Sequence, residues 1–389
     1  MNILVTCSYW YYSDFSSSFI HAQAKAYAAA GQRVRVLIPL PLGSHRLPDG
    51  AVRITPLLHC LERDGVEICY FSALSLSNFG NHRLGGFSLN VRAAIFALQL
   101  QFPIIFRDFK PDIVHAHAFG YGDMVGKWLS ERLSCPLVVT THGGDAGTLF
   151  EGGQRESLCR QCETIDAIVA VSAKLATGVR SCGTAAPIHT IFNGFAADNV
   201  TTAEKLPHSM IQVGNLIPSK HNDYTLQAVA RLREQYSDIT LTVVGGGTEQ
   251  PRLEKLTATL SLTGCVRFLG HLPNAEALAE MAKSRFFVMP SYPEGFGIVY
   301  LEAMASGCIT IGTEGEGISD FIIHGENGFL VPPDDVDAIV KVIDWCLSHP
   351  AEADAIAERG KADAIAMTWE HNAQQYLALF ETLIKKQRS

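Results

Sequence analysis

The chain has 389 residues, 47% hydrophobic and 18% charged, enough for two domains that each bury a core. Its formal charge of −8 is uneven: residues 1–200 carry 16 Lys and Arg against 15 Asp and Glu, which leaves 15 against 24 for the remainder. The acidic second half argues against general binding of nucleic acid, and any attraction to an anionic membrane falls to the first half.

Residues 2–6 form an apolar strand with no basic n-region of a signal peptide before it, so the cytoplasm is the expected compartment. An alanine-rich helix over 19–30 and a strand from Val34 to Pro39 complete a strand, helix, strand unit of an α/β domain. The intervening loop is aromatic and serine-rich, with Tyr9-Trp10-Tyr11-Tyr12 and Ser16-Ser17-Ser18. Residues 83–109 place Phe87, Val91, Ile95, Leu98 and Phe102 near one helical face, with Arg83, Arg92, Arg107 and Asp108 as the charges. Such a net-basic amphipathic helix either faces a core, the commoner case, or lies on an anionic bilayer. No uncharged apolar run reaches the ~18 residues of a membrane span.

Asp112-Ile-Val-His115-Ala-His117 ends one strand, and Leu137-Val-Val-Thr-Thr141-His142-Gly143-Gly144-Asp145 ends the next. Imidazoles at the carboxyl ends of parallel strands lie where open α/β sheets bind ligands, although a lone strand-end histidine is more often structural. The ten cysteines sit mostly in apolar segments, as reduced, packed thiols do, and Cys159-Arg-Gln-Cys162 without a second pair is a weak zinc signal. Ala167–Ser172 is a further strand, and Ile191-Phe192-Asn193-Gly194-Phe195 closes the domain in a turn. Polar residues and Pro207 mark a linker near 196–207. The expected organisation is a first domain over 1–200, a second over 201–370 and a final helix over 371–389.

The second domain restarts with a strand from Met210 and a loop reaching Lys220, followed by a strand Thr240–Val244 into Gly245-Gly246-Gly247, and by Val266–Pro273 as strand and loop. Next comes Ser291-Tyr-Pro-Glu294-Gly-Phe-Gly-Ile-Val-Tyr-Leu-Glu302-Ala-Met-Ala-Ser-Gly307. Pro293 and the glycines keep its first part in a loop, whereas Ile298, Leu301 and Ala305 recur at helical spacing until Gly307. Glu294 thus precedes the helix and Glu302 lies about two turns inside, the carboxylates up to roughly 12 Å apart at 1.5 Å per residue. The helix N-terminus between them, with unpaired N–H groups and a positive dipole end, suits a diphosphate. Asp335-Val-Asp337 spells DxD but follows Pro332-Pro333 at a helix start, where capping outweighs Mg²⁺ binding, so no metal site is expected. A dehydrogenase is disfavoured because Gly295-Phe-Gly297-Ile-Val-Tyr300 lacks a third glycine, and Gly122-Asp-Met-Val-Gly126-Lys127 is one residue short of a Walker A loop.

Glu294-Gly-Phe-Gly followed by Glu302-Ala-Met-Ala-x-Gly307 resembles the paired-glutamate signature of retaining glycosyltransferases of GT-B fold, family 4 (group 1). The likeness covers nearly the whole chain and is strongest over 210–333. It implies two Rossmann-like domains, each with a parallel sheet, facing across a cleft, and a last helix that crosses back to the first domain. The implied reaction moves a hexose from a nucleoside diphosphate sugar to a saccharide or lipid-linked saccharide, with retention and with neither metal nor cofactor. Among relatives UDP is the commonest donor nucleotide, GDP comes next, and ADP also occurs.

The resemblance also assigns roles. Glu294 positions the hexose, Lys220 reaches the diphosphate, and His142 contacts the hexose. Glu302 accepts from the ribose hydroxyls, the amides of Phe296, Gly297, Ile298 and Val299 take the phosphates, and Ser18, Asn215, His271 and Leu272 complete the donor site. Three features depart from the family pattern: serines 16–18 replace a glycine-rich loop, Asn215 stands where an arginine is usual, and Asp320 ends a loop that normally ends in glutamate. Lacking the charge at 215, the site leans on Lys220 and the helix N-terminus. The aromatic stretch at 9–12 and the helix within 83–109 suggest an acceptor at the inner face of the cytoplasmic membrane, such as a lipid-linked intermediate of a surface polysaccharide, met by peripheral contact. A GT-B epimerase or phosphorylase, or a noncatalytic sugar-binding homologue, stays as an alternative.

Overall fold

The structure is a computed structural model, described over residues 1–7, 18–42, 44–46, 52–54, 57–74, 83–84, 87–143, 159 and 161–388. The stretch Tyr9–Tyr12, Ser16, Ser17, Gly144 and Asp145 lie outside the described residues. The chain divides into two units: Met1–Val171, Leu175–Phe192 and Trp369–Ser389 make the first, and Ser172–Lys174 with Asn193–Thr368 the second. The change of unit near 193 falls at the Asn193-Gly194 turn, a few residues before the polar segment that marks a linker in the sequence.

In the first unit the strands are β1 (Asn2–Thr6), β2 (Arg33–Pro41), two short ribbons, β3 with β4 (Ser44–Arg46, Val52–Ile54) and β7 with β8 (Arg83–Leu84, Phe87–Ser88), then β5 (Leu58–Arg63), β6 (Val66–Ala73), β9 (Ile113–His117), β10 (Leu137–Thr141), β11 (Ala167–Ala170) and β12 (Ile188–Thr190). The main sheet runs β12-β11-β10-β9-β1-β2-β6-β5 and is parallel except for β5. Ile113–His117, Leu137–Thr141 and Ala167–Ala170 are buried at every position, as strands covered on both faces are. Helices α1 (Phe19–Ala29), α2 (Leu89–Ile105), α3 (Gly122–Leu133) and α4 (Ala173–Arg180) follow strands or ribbons in turn.

Cys60 and Cys69 are joined by a disulfide, a correction to the reading of all ten cysteines as reduced thiols. The reason is register: the Asp64-Gly65 turn sets β5 antiparallel to β6 with Cys60 directly opposite Cys69.

The second unit holds β13 (Leu206–Val213), β14 (Thr240–Val244), β15 (Val266–Gly270), β16 (Ser284–Val288), β17 (Ile309–Thr313) and β18 (Phe329–Val331) in the parallel order β15-β14-β13-β16-β17-β18. Its helices are α5 (Asn222–Leu232), α6 (Gln250–Thr259), α7 (Asn274–Lys283), α8 (Ile298–Ala305), α9 (Val336–Ser348) and α10 (Pro350–Ile365). Met210, Leu241, Phe286, Ile309 and Ile343 anchor one continuous core. In both sheets the order reverses beside the unit's first strand, at β1/β9 and at β13/β16, which is where open α/β sheets bind ligands.

The last helix, α11 (Trp369–Arg388), belongs to the first unit and packs on α1. Trp369, Asn372, Ala373, Tyr376 and Phe380 recur at three- and four-residue spacing and form its buried face. Gln23 donates to the Asn372 Oδ1 at 2.7 Å, and the Asn372 amide donates to the Phe192 carbonyl at 2.7 Å.

Candidate active site

In the second unit, the loops that leave β13 and β16 carry Lys220 and Glu294, and the two side chains form an ion pair. Both are mostly enclosed, with 20% and 13% of their side-chain surfaces exposed. The two loops are tied together beside the pair. The Tyr292 N–H donates to the Ser219 carbonyl at 2.9 Å, the His221 Nε2 lies 3.1 Å from the Tyr292 carbonyl, and the His221 and Tyr292 rings stack 3.9 Å apart. His221 itself sits in the left-handed region (φ 44°), closing the short turn Pro218–Lys220 that aims the lysine.

Glu294 is held from several directions. The Ser291 hydroxyl donates to its Oε2 at 3.1 Å, and Tyr300, buried from α8, lies 3.1 Å from that hydroxyl while donating to the Met289 carbonyl at 2.5 Å. Its backbone N–H donates to the Glu316 carboxylate at 2.7 Å, and its carbonyl accepts from the Gly317 N–H at 3.2 Å. Ser291, Tyr300 and Glu316 as supports of Glu294 escape sequence reasoning, because spacing does not show which side chains turn toward the carboxylate and Glu316 comes from the loop after β17, 22 residues on. Their presence in and around the Glu294 loop was the available signal.

Helix α8 begins where the loop ends. Gly297 has φ 81°, and a Cβ there would lie 2.6 Å from the Tyr300 ring, so position 297 requires glycine for both conformation and room. Phe296 is buried and anchors the loop, while Gly297, Ile298 and Val299 are half-buried at the first turn. The helix start therefore points its first backbone N–H groups to the side of the Lys220–Glu294 pair, the end of a helix that suits an anion. Glu302 is the fifth residue of the helix, one turn in and not two, since the helix starts only at Ile298. Its carboxylate accepts from the Asn274 amide at 3.0 Å; burial raises its pKa, and the Asn274 bond opposes that shift. Asn274, the first residue of α7, is a further candidate that the sequence did not single out.

The glycine loop after β14 lets three strand-end loops lie on one another. A Cβ at Gly245 would sit 1.9 Å from the Gly214 carbonyl oxygen and one at Gly247 2.3 Å from that of Leu216, while the Gly245 N–H donates to the Gly270 carbonyl at 2.7 Å. Asn215, His271 and Leu272 occupy these loops. Asn215 and His271 are exposed, Leu272 is half-buried, and none bonds to Lys220 or Glu294 among the described residues. Asp335 caps α9 by accepting from the Ala338 N–H at 2.8 Å, and Asp337 pairs with Arg231, so the DxD spelling serves helix and surface. Among the described residues no three of His, Cys, Asp and Glu gather as metal ligands.

In the first unit, His117 ends β9 and His142 follows β10. Their rings stack 5.2 Å apart, with the His117 Nδ1 2.9 Å from the His142 Nε2, and Phe19 covers His142 at 4.6 Å. His115 points into the interior, where Thr140 (2.8 Å) and Tyr27 (3.4 Å) take its ring nitrogens and Tyr376 of α11 continues the chain from Thr140 at 2.9 Å. Burial lowers the pKa of His115 to about 3 and that of His117 well below the usual value, with the neighbouring imidazoles adding to both shifts. Ser18 is the N-cap of α1, its hydroxyl accepting from the His21 N–H at 3.2 Å.

Two family profiles match in succession: "Glycosyltransferase Family 4" over residues 16–199 and "Glycosyl transferases group 1" over residues 197–363. The chain is 28% identical to a glycogen synthase of Mycobacterium tuberculosis over 383 residues, covering 92% of this chain and 90% of the relative. It is also 28% identical to a GDP-mannose-dependent alpha-(1-6)-phosphatidylinositol monomannoside mannosyltransferase of Mycolicibacterium smegmatis, over 58% of this chain and 64% of that one. Anabaena HepE, solved with UDP and glucose, shares the fold with a TM-score of 0.74 at 20% identity, over 98% of this chain and all of that one. Two parallel-sheet α/β domains of GT-B type, matched by both profiles in order, place this chain in the group 1, family 4 glycosyltransferases.

Proposed function

We propose that the chain is a retaining, metal-independent hexosyltransferase that uses a nucleoside diphosphate sugar. The observation that carries this reading is the meeting of Lys220 and Glu294 at the β13/β16 reversal, beside the first turn of α8. A diphosphate seated on the amides of Phe296–Val299 would draw Lys220 as its counter-charge and free Glu294 for the hexose hydroxyls. Glu302 then takes the ribose, and His142 is the candidate for the hexose in the first unit. Charge set in place before the reaction stabilises the departing diphosphate with little reorganisation, which is what a bound metal would otherwise supply.

UDP is the nucleotide we favour, supported by the UDP-bound neighbour, with GDP second in view of the GDP-mannose-dependent relative. The acceptor we propose is a lipid-linked saccharide of a surface polysaccharide, reached from the cytoplasm at the inner face of the membrane. A relative named for a phosphatidylinositol monomannoside supports it. A thermal-shift panel of UDP, GDP and ADP tests the reading. One nucleotide at a hundred times its Kd should add about 2.7 kcal/mol, which raises Tm by roughly 5–10 °C. No shift with any of the three would favour a noncatalytic homologue.

A further inference from the structure

Helix α2 is apolar on more than one face. Val91, Ala94, Ala97, Leu98 and Ile105 are buried and Ile95 and Phe102 pack against the same core, so the face that reads as amphipathic in the sequence is a core face. A second stripe runs along the other side at four-residue spacing: Phe96, Leu100 and Ile104 are 60%, 67% and 66% exposed. Arg92 lies one turn before this stripe and Arg107 follows it, both exposed, and no acidic residue occurs within the helix. At its C-terminal end an open pocket floored by Phe102, Phe106 and Phe109 is rimmed by Lys110 and Arg132, whose guanidinium sits 4.8 Å over the Phe102 ring. The acids nearest in sequence are Asp108, which Arg33 and Arg35 engage, Asp112, which Arg388 engages, and Glu131 beside Arg132.

We propose that this stripe docks on an anionic lipid surface, with Phe96, Leu100 and Ile104 entering the headgroup–acyl boundary and Arg92 and Arg107 meeting lipid phosphates. Three apolar side chains flanked by cations are the composition of an interfacial helix, in which apolar insertion and charge attraction add. A second copy of the chain fits worse. Three side chains fall well short of the ~800 Å² per partner of a stable interface. An antiparallel two-fold pairing of the stripe would also set Arg92 of one copy against Arg107 of the other. The proposal rests on the preceding reading only for its purpose, delivery of a lipid-linked acceptor.

The test is flotation of the full chain with vesicles of one-third phosphatidylglycerol in phosphatidylcholine, and of phosphatidylcholine alone, at low and at physiological salt. The chain should float with the anionic vesicles, less so as salt rises, and stay behind with the neutral ones. Phe96→Ser/Leu100→Ser/Ile104→Ser should lower the bound fraction at least about tenfold, and Arg92→Glu/Arg107→Glu should abolish binding. Both variants should keep wild-type Tm and nucleotide binding, since all five side chains are exposed. Failure of the wild type to float, unchanged flotation of the triple variant, or a dimer in solution that the triple variant dissociates would each overturn the proposal. Flotation without binding of any nucleotide would instead leave the membrane surface standing and remove the transferase reading.

Discussion

His117 and His142 lie nearly parallel, 11° apart in plane, with one ring nitrogen of each within hydrogen-bond distance. Since burial keeps His117 neutral, one of the two facing nitrogens carries a proton and the other accepts it. The tautomer of His142 is thereby linked to that of His117, and if His142 contacts the hexose as proposed, His117 is its positioning residue. His117→Leu should lower kcat by roughly tenfold with donor KM nearly unchanged, and His117→Asn should restore part of the loss. Equal kcat in all three proteins would remove His117 from the account.

The same burial makes stability depend on pH. Folded His115 titrates at about 3 and folded His117 well below the usual value, whereas in the unfolded chain both would bind a proton below about 6.5. Between those limits the unfolded state holds more protons, so stability present above about pH 6.5 is lost as pH falls, by up to ~1.4 kcal/mol per pH unit for each histidine. Urea unfolding from pH 7 to 5 should show a shallower loss in His117→Asn than in wild type. Identical slopes would mean that His117 does not titrate differently on unfolding.

Lys220 and Glu294 should be separable in kinetics although they touch. Lys220→Ala removes the charge proposed to meet the diphosphate and should lower kcat by roughly 10²–10³, the scale of losing one electrostatic stabiliser. Glu294→Gln keeps the size of the side chain and an acceptor for Ser291, so it should lower turnover with donor Kd changed less than about threefold. If Lys220→Ala lost only donor affinity, the pair would be a binding element alone.

Glu302 and Asn274 should report on binding. Removing a charged hydrogen-bonding group costs about 1.5–3 kcal/mol, so Glu302→Ala should raise donor Kd roughly 10- to 100-fold with kcat near wild type. Asn274→Ala should give a smaller rise in the same direction, read by nucleotide titration calorimetry. A kcat defect without a change in Kd would assign Glu302 to the chemistry instead.

Much of this was legible in the sequence, and the remainder failed for identifiable reasons. Parallel strands covered on both faces leave apolar runs such as Leu137–Thr141, and the loop-to-helix motif from Ser291 to Gly307 marks its own start and stop. What periodicity hid was the environment of single side chains. One strong apolar periodicity on α2 masked a second stripe at Phe96, Leu100 and Ile104, because a helix apolar on several faces gives no unique moment. The support of Glu294 by Glu316 and of Glu302 by Asn274 links residues 22 and 28 apart, beyond any local pattern. The Cys60–Cys69 bond needed the hairpin register.

The central claim, transfer with retention and without a metal, is tested most directly by the anomeric proton of the first product. With an α-linked nucleotide sugar of the base that stabilises the chain most, ¹H NMR followed from the start of the reaction should show the α-linked product forming at the same rate with and without EDTA. A β-linked first product, or activity lost in EDTA and restored by Mg²⁺, would contradict the roles given to Glu294, Lys220 and the start of α8.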